Sequence, residues 1–334
     1  MYALHYIEEY LFKGYNDLPE MEYQNTRIRN IVIYPVKSAA GIELQGATLT
    51  PSGLTTGYYS DHQYMIVCNN PDFIRSNAEK NEGVYNFVTQ RDKRNRHDNN
   101  QRLSALALIK PELYGDTLRL TWRYGDPIDL PPDFNYGEIQ VAVWDHKGYA
   151  VDQGNEIAEW LSDHLNLGVR LVKAAGPFDR MSRQTYIPND NPLRFQDGYP
   201  IHWFSLESAD ELNRKSIVYV PWQSFRPQIL VEGVPAQYEH QVHEGTIAGI
   251  PFQNAKPCDR CPVTLVDQET GKVRSVGEPL RTLATYKKWR NKDGAQKVIF
   301  GENMLPREEG IITVGDELVA VSYRDPALVY GGKV

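Results

Sequence analysis

The chain has few cysteines and no long apolar run, and both absences narrow its class. Three cysteines in 334 residues are too few to cross-link a chain of this length, and so low a number is typical of a reducing compartment. No segment approaches the ~18 consecutive apolar residues of a membrane-spanning helix. The first residues have the composition of neither a secretory signal nor a transit peptide. We therefore predict a cytoplasmic protein with no membrane span.

An excess of positive charge is also missing. The formal charge is −7, from 36 basic and 43 acidic residues, which argues against a nucleic-acid partner. The basic segment over 91–102 is interpreted as a solvated loop. A Gly-x-Gly-x-x-Gly fingerprint is absent too, so a directly bound nicotinamide or flavin is not predicted.

Short runs of β-branched and aromatic residues, bounded by Gly, Pro, Asn and Asp, dominate the first half of the chain. Their length and partial alternation predict a mainly antiparallel sheet or barrel. These predicted strands cover residues 29–36, 63–67, 103–109, 117–124 and 138–144. A helix is predicted next, over 152–167, and a strand follows it at 169–174. Four apolar residues share one face of this helix: Ile157, Trp160, Leu161 and Leu165.

The second half is also predicted to be rich in strands. The polar segment 176–198 has the composition of a long loop, and a second helix over 205–215 begins with Ser205 as its N-cap. Strands are predicted after it within 228–233, 244–255, 261–268 and 310–321. The predicted fold class is mainly β with a few helices, a β-rich α+β chain of two units whose boundary lies within 145–153.

Two of the cysteines, Cys258 and Cys261, lie three residues apart, and their local pattern leaves several interpretations open. With His240 and His243 they could form a zinc site, although the spacing of the histidines is one residue short of the usual finger. A redox pair requires a helix start, whereas Pro262 and the β-branched residues after it favour a strand. The pair could also have no role, or one thiolate could be presented by a turn to a thiophilic metal.

Four short blocks of sequence together resemble a known family. They are IYPVKSAAG (33–41), FRPQILVEG (225–233), PCDRCPVTLVDQETG (257–271) and VIFGEN with GIITVGDELV (298–303 and 310–319). Their order and spacing resemble the molybdenum cofactor sulfurase C-terminal (MOSC) superfamily. The subgroup has an N-terminal β-barrel domain and includes the mitochondrial amidoxime-reducing component and its bacterial relatives.

The resemblance covers nearly all of residues 29–321 and implies a domain order. We predict an N-terminal extension (1–28), a MOSC N-terminal β-barrel-like domain (29–150), a MOSC-type β-barrel domain (151–323) and a C-terminal tail (324–334).

The resemblance also implies a cofactor site. The second cysteine of the family block is the protein ligand of molybdenum, which makes Cys261 the metal ligand here, with Cys258 structural. The remaining residues that match cofactor-contacting positions of the family are Lys37, Ser38, Asp197, Arg226 and Gln228.

Three positions depart from the family pattern. His62 replaces an arginine that would contact the cofactor, and an imidazole is a weaker phosphate partner than a guanidinium. Asp259 brings a carboxylate close to the metal, and Gly198 replaces a small hydroxyl residue. Arg91, Arg94 and Arg96 are candidates for the missing cation.

By this resemblance the protein is a molybdenum–molybdopterin oxidoreductase that reduces N–O bonds of small N-hydroxylated substrates. Cys261 and Asp259 are the predicted catalytic residues, and Asp259 or His62 moves a proton. Electrons are expected from a separate protein of ferredoxin, flavodoxin or cytochrome b5 type. The alternatives are a non-redox molybdenum-cofactor or sulfur carrier with a persulfide on Cys261, and an interaction protein without cofactor.

Overall fold

The computed structural model describes residues 26–325 except 70–83, 93–102, 124, 131–134, 175–179, 184–185, 189–190 and 292. Most of the predicted N-terminal extension and C-terminal tail lies outside the described residues, and so do Arg94 and Arg96.

The first half of the described chain is built from strands and one helix. Helix α1 (Asn155–Leu165) packs on the strands through Ile157, Leu161 and Leu165, while Trp160 is only partly buried, so the predicted apolar face is confirmed. The strands are β1 (Arg27–Ile33), β2 (Ile42–Leu44), β3 (Gly46–Thr50), β4 (Gly53–Thr55), β5 (Tyr64–Cys68), β6 (Tyr85–Phe87), β7 (Ile109–Tyr114), β8 (Thr117–Trp122), β9 (Gly125–Leu130), β10 (Glu138–Val143), β11 (His146–Asp152) and β12 (Arg170–Lys173).

Five of these strands close a barrel in the order β10, β11, β12, β5, β6. Alternate residues of a strand point to opposite faces, so one set of apolar side chains fills the barrel. This core includes Met65, Val67, Phe87, Val141 and Val172, each 0% exposed. The predicted N-terminal β-barrel is therefore confirmed.

The second half forms one large sheet with helices beside it. The sheet order is β2, β1, β16, β15, β20, β18, β17, β22, and β19 pairs with β20. Its elements, together with the remaining short strands, are β13 (Arg180–Met181), β14 (Pro192–Leu193), β15 (Ile201–Ser205), α2 (Leu206–Lys215), β16 (Ile229–Glu232), β17 (Val242–Ile247), β18 (Ile250–Asp259), α3 (Leu280–Tyr286), β19 (Lys288–Arg290), β20 (Gln296–Pro306), β21 (Gly310–Thr313) and β22 (Leu318–Tyr323).

The first strand belongs to the large sheet and not to the barrel. Strand β1 pairs antiparallel with β16, with Arg27 opposite Glu232 and Ile31 opposite Ile229. Strands β3 and β4 likewise form a small sheet with β21, which lies near the other end of the chain. The two β-rich halves are thus connected through shared sheets. The domain boundaries drawn from the sequence stay a prediction.

Two predicted strands are short 3₁₀ helices instead. The run at 103–109 forms a 3₁₀ helix over Leu103–Leu108 before β7 begins, because leucine and alanine favour helical backbone and a short apolar run does not by itself distinguish strand from helix. The segment 261–268 turns at Pro262–Leu265, since proline is well suited to the first position of a helical turn.

The fold class is confirmed as mainly β with a few helices. The predicted cap of the second helix is also confirmed, because the Ser205 side chain accepts a hydrogen bond from the backbone N–H of Ser208. None of the described helices is long and apolar enough to cross a membrane.

Candidate active site

A cavity of about 180 Å³ opens between the two halves of the molecule. The first half contributes the turn after β1 and the loops around β5 and β6, and the second half contributes the ends of β15, β16 and β18. All eight site residues predicted from the sequence line this cavity: Lys37, Ser38, His62, Asp197, Arg226, Gln228, Asp259 and Cys261. Gly198 and Arg91 line it as well. The roles assigned to these residues remain predictions.

The two cysteines have different surroundings. Cys258, near the end of β18, accepts a hydrogen bond from Arg260 Nη1 at 3.1 Å. Burial raises the pKa of the Cys258 thiol, and the Arg260 guanidinium opposes this shift. Cys261 follows the strand, is partly exposed, and its thiol forms no hydrogen bond with the described residues. Of the two, Cys261 therefore presents the available sulfur.

The lining of the cavity is positively charged although the whole chain is acidic. Four side chains carry a permanent cationic group: Lys37, Arg91, Arg226 and Arg260. They outnumber the two carboxylates in the lining, Asp197 and Asp259. A cationic cavity in a chain of net charge −7 favours an anionic ligand at this place.

Lys37 and Asp197 form an ion pair at the rim of the cavity. The buried Lys37 Nζ donates to Asp197 Oδ1 at 2.6 Å and to the Phe195 carbonyl at 2.8 Å. Burial lowers the pKa of Lys37, whereas Asp197 counteracts this shift. Burial would raise the pKa of Asp197, but the ammonium of Lys37 holds it well below its usual range. Both groups are thus charged at neutral pH, and the ammonium retains one further N–H for a ligand.

Arg226 extends into the cavity with one nitrogen unsatisfied. Its guanidinium stacks 4.1 Å from the ring centroid of Tyr34, and its Nη1 donates to the Ala39 carbonyl at 2.6 Å. The buried Nη2 has no hydrogen-bond partner among the described residues. Since a buried donor without an acceptor costs about 1–3 kcal/mol, this nitrogen indicates a missing acceptor.

Asp61 orients two lining residues of the cavity, His62 and Gln228. This fully buried carboxylate accepts hydrogen bonds from the Tyr34 N–H at 2.8 Å and from Gln228 Nε2 at 3.1 Å, and it lies 2.6 Å from His62 Nδ1. The Nε2 atom of His62 forms no hydrogen bond with the described residues. Gln228 is used on both ends, because its Oε1 accepts from the His202 N–H at 2.8 Å. The Gln228 side chain is therefore fixed by hydrogen bonds at both of its polar atoms.

Several residues of the cavity have left-handed backbone conformations that favour glycine. The φ angles are 70° at Ser38, 52° at His62 and 55° at Arg226. Such conformations cost non-glycine residues about 1 kcal/mol or more and are concentrated at functional sites. Trp144, whose φ is 59°, donates from its indole N–H to Asp197 and stacks with Arg91 at 4.9 Å.

Arg260, which lies inside the cysteine block, lines the cavity but is not among the site residues predicted from the sequence. Besides Cys258, it contacts His202 Nε2 at 3.2 Å and donates to the Phe225 carbonyl at 2.7 Å. Burial and the neighbouring Arg260 lower the pKa of His202 well below its ordinary value, so this imidazole is neutral. A basic residue between two cysteines was the signal that could have identified Arg260.

Two glutamines that were not predicted from the sequence form a hydrogen-bonded pair beside the cavity. The side-chain amides of Gln90 and Gln268 donate to each other at 3.1 and 3.0 Å. Gln90 further donates to the Ser38 carbonyl at 2.8 Å, and Gln268 Oε1 lies 3.4 Å from Arg226 Nη1. The pair connects Ser38 and Arg226, two lining residues of the cavity, but nothing in the local sequence around either glutamine signals it.

The zinc interpretation finds no support in the described part of the chain. His240 is bonded through Nδ1 to Glu302 at 2.8 Å. Within those residues no three Cys, His, Asp or Glu side chains are grouped so that they could hold a metal ion.

Both halves of the chain match known protein domain families. The MOSC N-terminal beta barrel domain matches residues 25–167, and the MOSC domain matches residues 190–319. Mitochondrial amidoxime-reducing component 1 of Mus musculus is 28% identical over 298 residues, covering 86% of this chain and 80% of the relative. The Homo sapiens protein of the same name is 28% identical over 301 residues, covering 86% and 81%. Mitochondrial amidoxime reducing component 2 of Rattus norvegicus is 26% identical over 266 residues, covering 78% and 72%.

Proposed function

Because the chain belongs to the MOSC superfamily, with an N-terminal β-barrel domain before its MOSC domain, we propose that it is a molybdenum-cofactor-dependent oxidoreductase that reduces N-hydroxylated compounds. One observation carries the proposal. The available thiol of Cys261 and the unsatisfied guanidinium nitrogen of Arg226 line the same cationic cavity.

The residues of the cavity fit an anionic, metal-bearing cofactor. The thiolate of Cys261 is a soft ligand suited to molybdenum, and the sulfur of this free cysteine forms no hydrogen bond with the described residues. Arg226, Arg91 and the free N–H of Lys37 would bind the phosphate of the cofactor through charge-assisted hydrogen bonds. Arg91 would supply the positive charge that the family arginine provides at the position of His62. When bound, the cofactor supplies the two-electron redox chemistry.

The reaction consumes two electrons and two protons. The N–O bond of the substrate breaks, an N–H bond forms, and the oxygen leaves as water. Two groups in the cavity lining are placed to handle protons. One is His62, which Asp61 holds in position through Nδ1. The other is Asp259, whose Oδ1 is 3.1 Å from Lys256 Nζ.

Electrons would come from a separate carrier of ferredoxin, flavodoxin or cytochrome b5 type. A ferredoxin-type iron–sulfur cluster is held by four cysteines, and this sequence has three cysteines in total, of which Cys68 is buried. The donor would approach the open side of the cavity, where Cys261 is partly exposed.

Elemental analysis combined with paired cysteine variants tests the proposal. Protein made in a host that synthesises molybdopterin should contain close to one molybdenum per chain and should reduce an N-hydroxyamidine with chemically reduced viologen. We expect Cys261→Ser to lose more than about a hundredfold in activity, because loss of a direct ligand exceeds the effect of outer-sphere changes. Cys258→Ser is the matched control and should keep most of the activity.

Two results would contradict the proposal. Protein without molybdenum but with a cyanide-labile sulfur on Cys261 would indicate a sulfur carrier. Equal activity of Cys261→Ser and Cys258→Ser would remove Cys261 from the reaction.

A further inference from the structure

A second cavity, of about 330 Å³, lies in the second half of the molecule and shares no lining residue with the candidate active site. Its wall includes His240, Lys287, Trp289 and Arg324. These side chains come from the 3₁₀ turn Tyr238–His240, the end of α3, strand β19 and the end of β22.

An ion cluster lies directly behind this wall. The carboxylate of Glu302, on β20, is 0% exposed. Its Oε1 is 2.8 Å from His240 Nδ1, and its Oε2 accepts from Arg324 Nη2 at 2.7 Å. Arg324 Nη1 donates to the Asn254 carbonyl at 2.6 Å. Glu302 therefore fixes the orientation of two cavity residues, His240 and Arg324.

Three nitrogens of the wall are left without partners. His240 Nε2, Trp289 Nε1 and Arg324 Nε are buried and have no hydrogen-bond partner among the described residues. The indole and guanidinium N–H groups can only donate. Native proteins rarely leave such donors unpaired, because each costs about 1–3 kcal/mol. Three of them around one cavity indicate an acceptor with several oxygens.

We propose that this second cavity binds a small oxyanion, a carboxylate or a tetrahedral anion of the sulfate or phosphate class. Trp289 and Arg324 donate hydrogen bonds to it, His240 completes the contact through Nε2, and the buried ammonium of Lys287 provides charge. Asp325, which is exposed, is the carboxylate in the wall.

The protonation of Glu302 supports an anion at this place. Burial raises the pKa of Glu302 to about 8, with Arg324 and Lys256 opposing and Glu239 assisting the shift. At neutral pH the protonated carboxyl donates to His240 Nδ1, so that the N–H of the imidazole is on Nε2. All three unpartnered nitrogens are then donors, and the charge of Arg324 is not neutralised.

Titration calorimetry on the full-length protein tests the proposal with two probes, sodium sulfate and sodium acetate, against sodium chloride at equal ionic strength. We expect saturable binding of one anion per chain and a thermal midpoint that rises with its concentration. The preferred probe distinguishes a tetrahedral anion from a carboxylate. Sulfate does not titrate near neutrality, so any pH dependence of its binding comes from the protein. Its affinity should fall as the pH rises through about 8, because Glu302 then loses its proton and becomes an anion.

Paired variants assign the binding to this cavity. Trp289→Phe removes one indole donor and should weaken binding about tenfold, the effect of one hydrogen bond to a charged group. Trp160→Phe is the matched control, since its indole donates to the Asp126 carbonyl in the other half of the molecule. Lys287→Met should weaken binding at least as much, and Lys110→Met, at an exposed ion pair with Glu269, should not.

No saturable binding of either anion would overturn the proposal. So would equal affinity in Trp289→Phe and the wild type, or an affinity that rises with pH. These measurements need no molybdenum and no substrate, so their outcome is independent of the proposed reaction.

Discussion

The candidate active site and the ion cluster beside β20 both hold arginine side chains away from water, but they complete the hydrogen bonds differently. Arg324 is 1% exposed, and both of its terminal nitrogens are paired, one with the carboxylate of Glu302. Arg226 has no carboxylate at ion-pair distance among the described residues, and its Nη2 has no partner. The two regions are adjacent along β20. Glu302 belongs to the ion cluster, and the next residue, Asn303, lines the active-site cavity.

The difference separates the guanidinium nitrogens that stabilise the fold, Nη1 and Nη2 of Arg324, from those left for a ligand, Nη2 of Arg226 and Nε of Arg324. A buried guanidinium with its hydrogen bonds in place is costly to remove, because its acceptors are left buried without a donor. An unsatisfied cation together with left-handed residues lowers stability and persists where a ligand uses it. The three predictions below test this contrast.

The largest effect is expected from breaking the ion cluster. Arg324→Met removes two buried hydrogen bonds of the guanidinium, to Glu302 and to the Asn254 carbonyl, and should lower the free energy of unfolding by about 3–5 kcal/mol. Urea denaturation followed by circular dichroism measures the change. Arg119→Met, which disrupts the exposed ion pair with Asp129, is the control and should change stability little. Similar losses in both variants would contradict the contrast.

The pH dependence of stability should separate the acids of the two regions. The folded pKa of Glu302 is raised from 4.5 to about 8, so the folded state holds an extra proton between these values. The contribution of this group is full below pH 4.5 and is lost as the pH rises through about 8, with a slope of up to about 1.4 kcal/mol per pH unit.

The contribution of Asp197 to stability has the opposite dependence on pH. Lys37 holds its folded pKa below the ordinary value, so its contribution is present at neutral pH and is lost only in acid. Urea midpoints measured from about pH 5 to 8.5 should therefore show a flatter pH dependence for Glu302→Gln than for the wild type. Asp197→Asn should leave the slope in this range unchanged, and a flattening by Asp197→Asn alone would reverse the assignment.

The smallest effect on stability is expected at Arg226. Arg226→Met loses the hydrogen bond to Ala39 and the stacking on Tyr34, but it also removes a buried donor without a partner. These effects offset each other, so the stability of protein made without molybdopterin should change by less than about 1 kcal/mol. The same variant should retain little molybdenum in a host that makes the cofactor. A destabilisation as large as that of Arg324→Met would contradict this prediction.

Local sequence was sufficient where a local rule determines the structure. Strand β10 and the Ser205 cap were predicted because strand composition and capping depend on neighbouring residues. The strands predicted at 103–109 and 261–268 were wrong. Their apolar and β-branched residues do not decide between strand and 3₁₀ helix without tertiary neighbours.

The candidate site was predictable only as a set of family positions. Resemblance identified residues that the fold gathers around one cavity, but the polar contacts behind them depend on distant parts of the chain. The fully buried Asp61 joins His62 to Gln228, which is 167 positions away from it, and Gln90 joins Gln268 across 178 positions. No period or motif encodes such contacts.

The position of β1 limits how this molecule can be divided. Because this strand pairs with β16, a fragment that begins after the N-terminal barrel would expose the edge of β16 and leave part of the apolar core, including Ile229 and Val231, without the cover of Ile28 and Ile31. Separately expressed halves would therefore recover a native shape only by exchanging that strand in trans, as in donor-strand complementation.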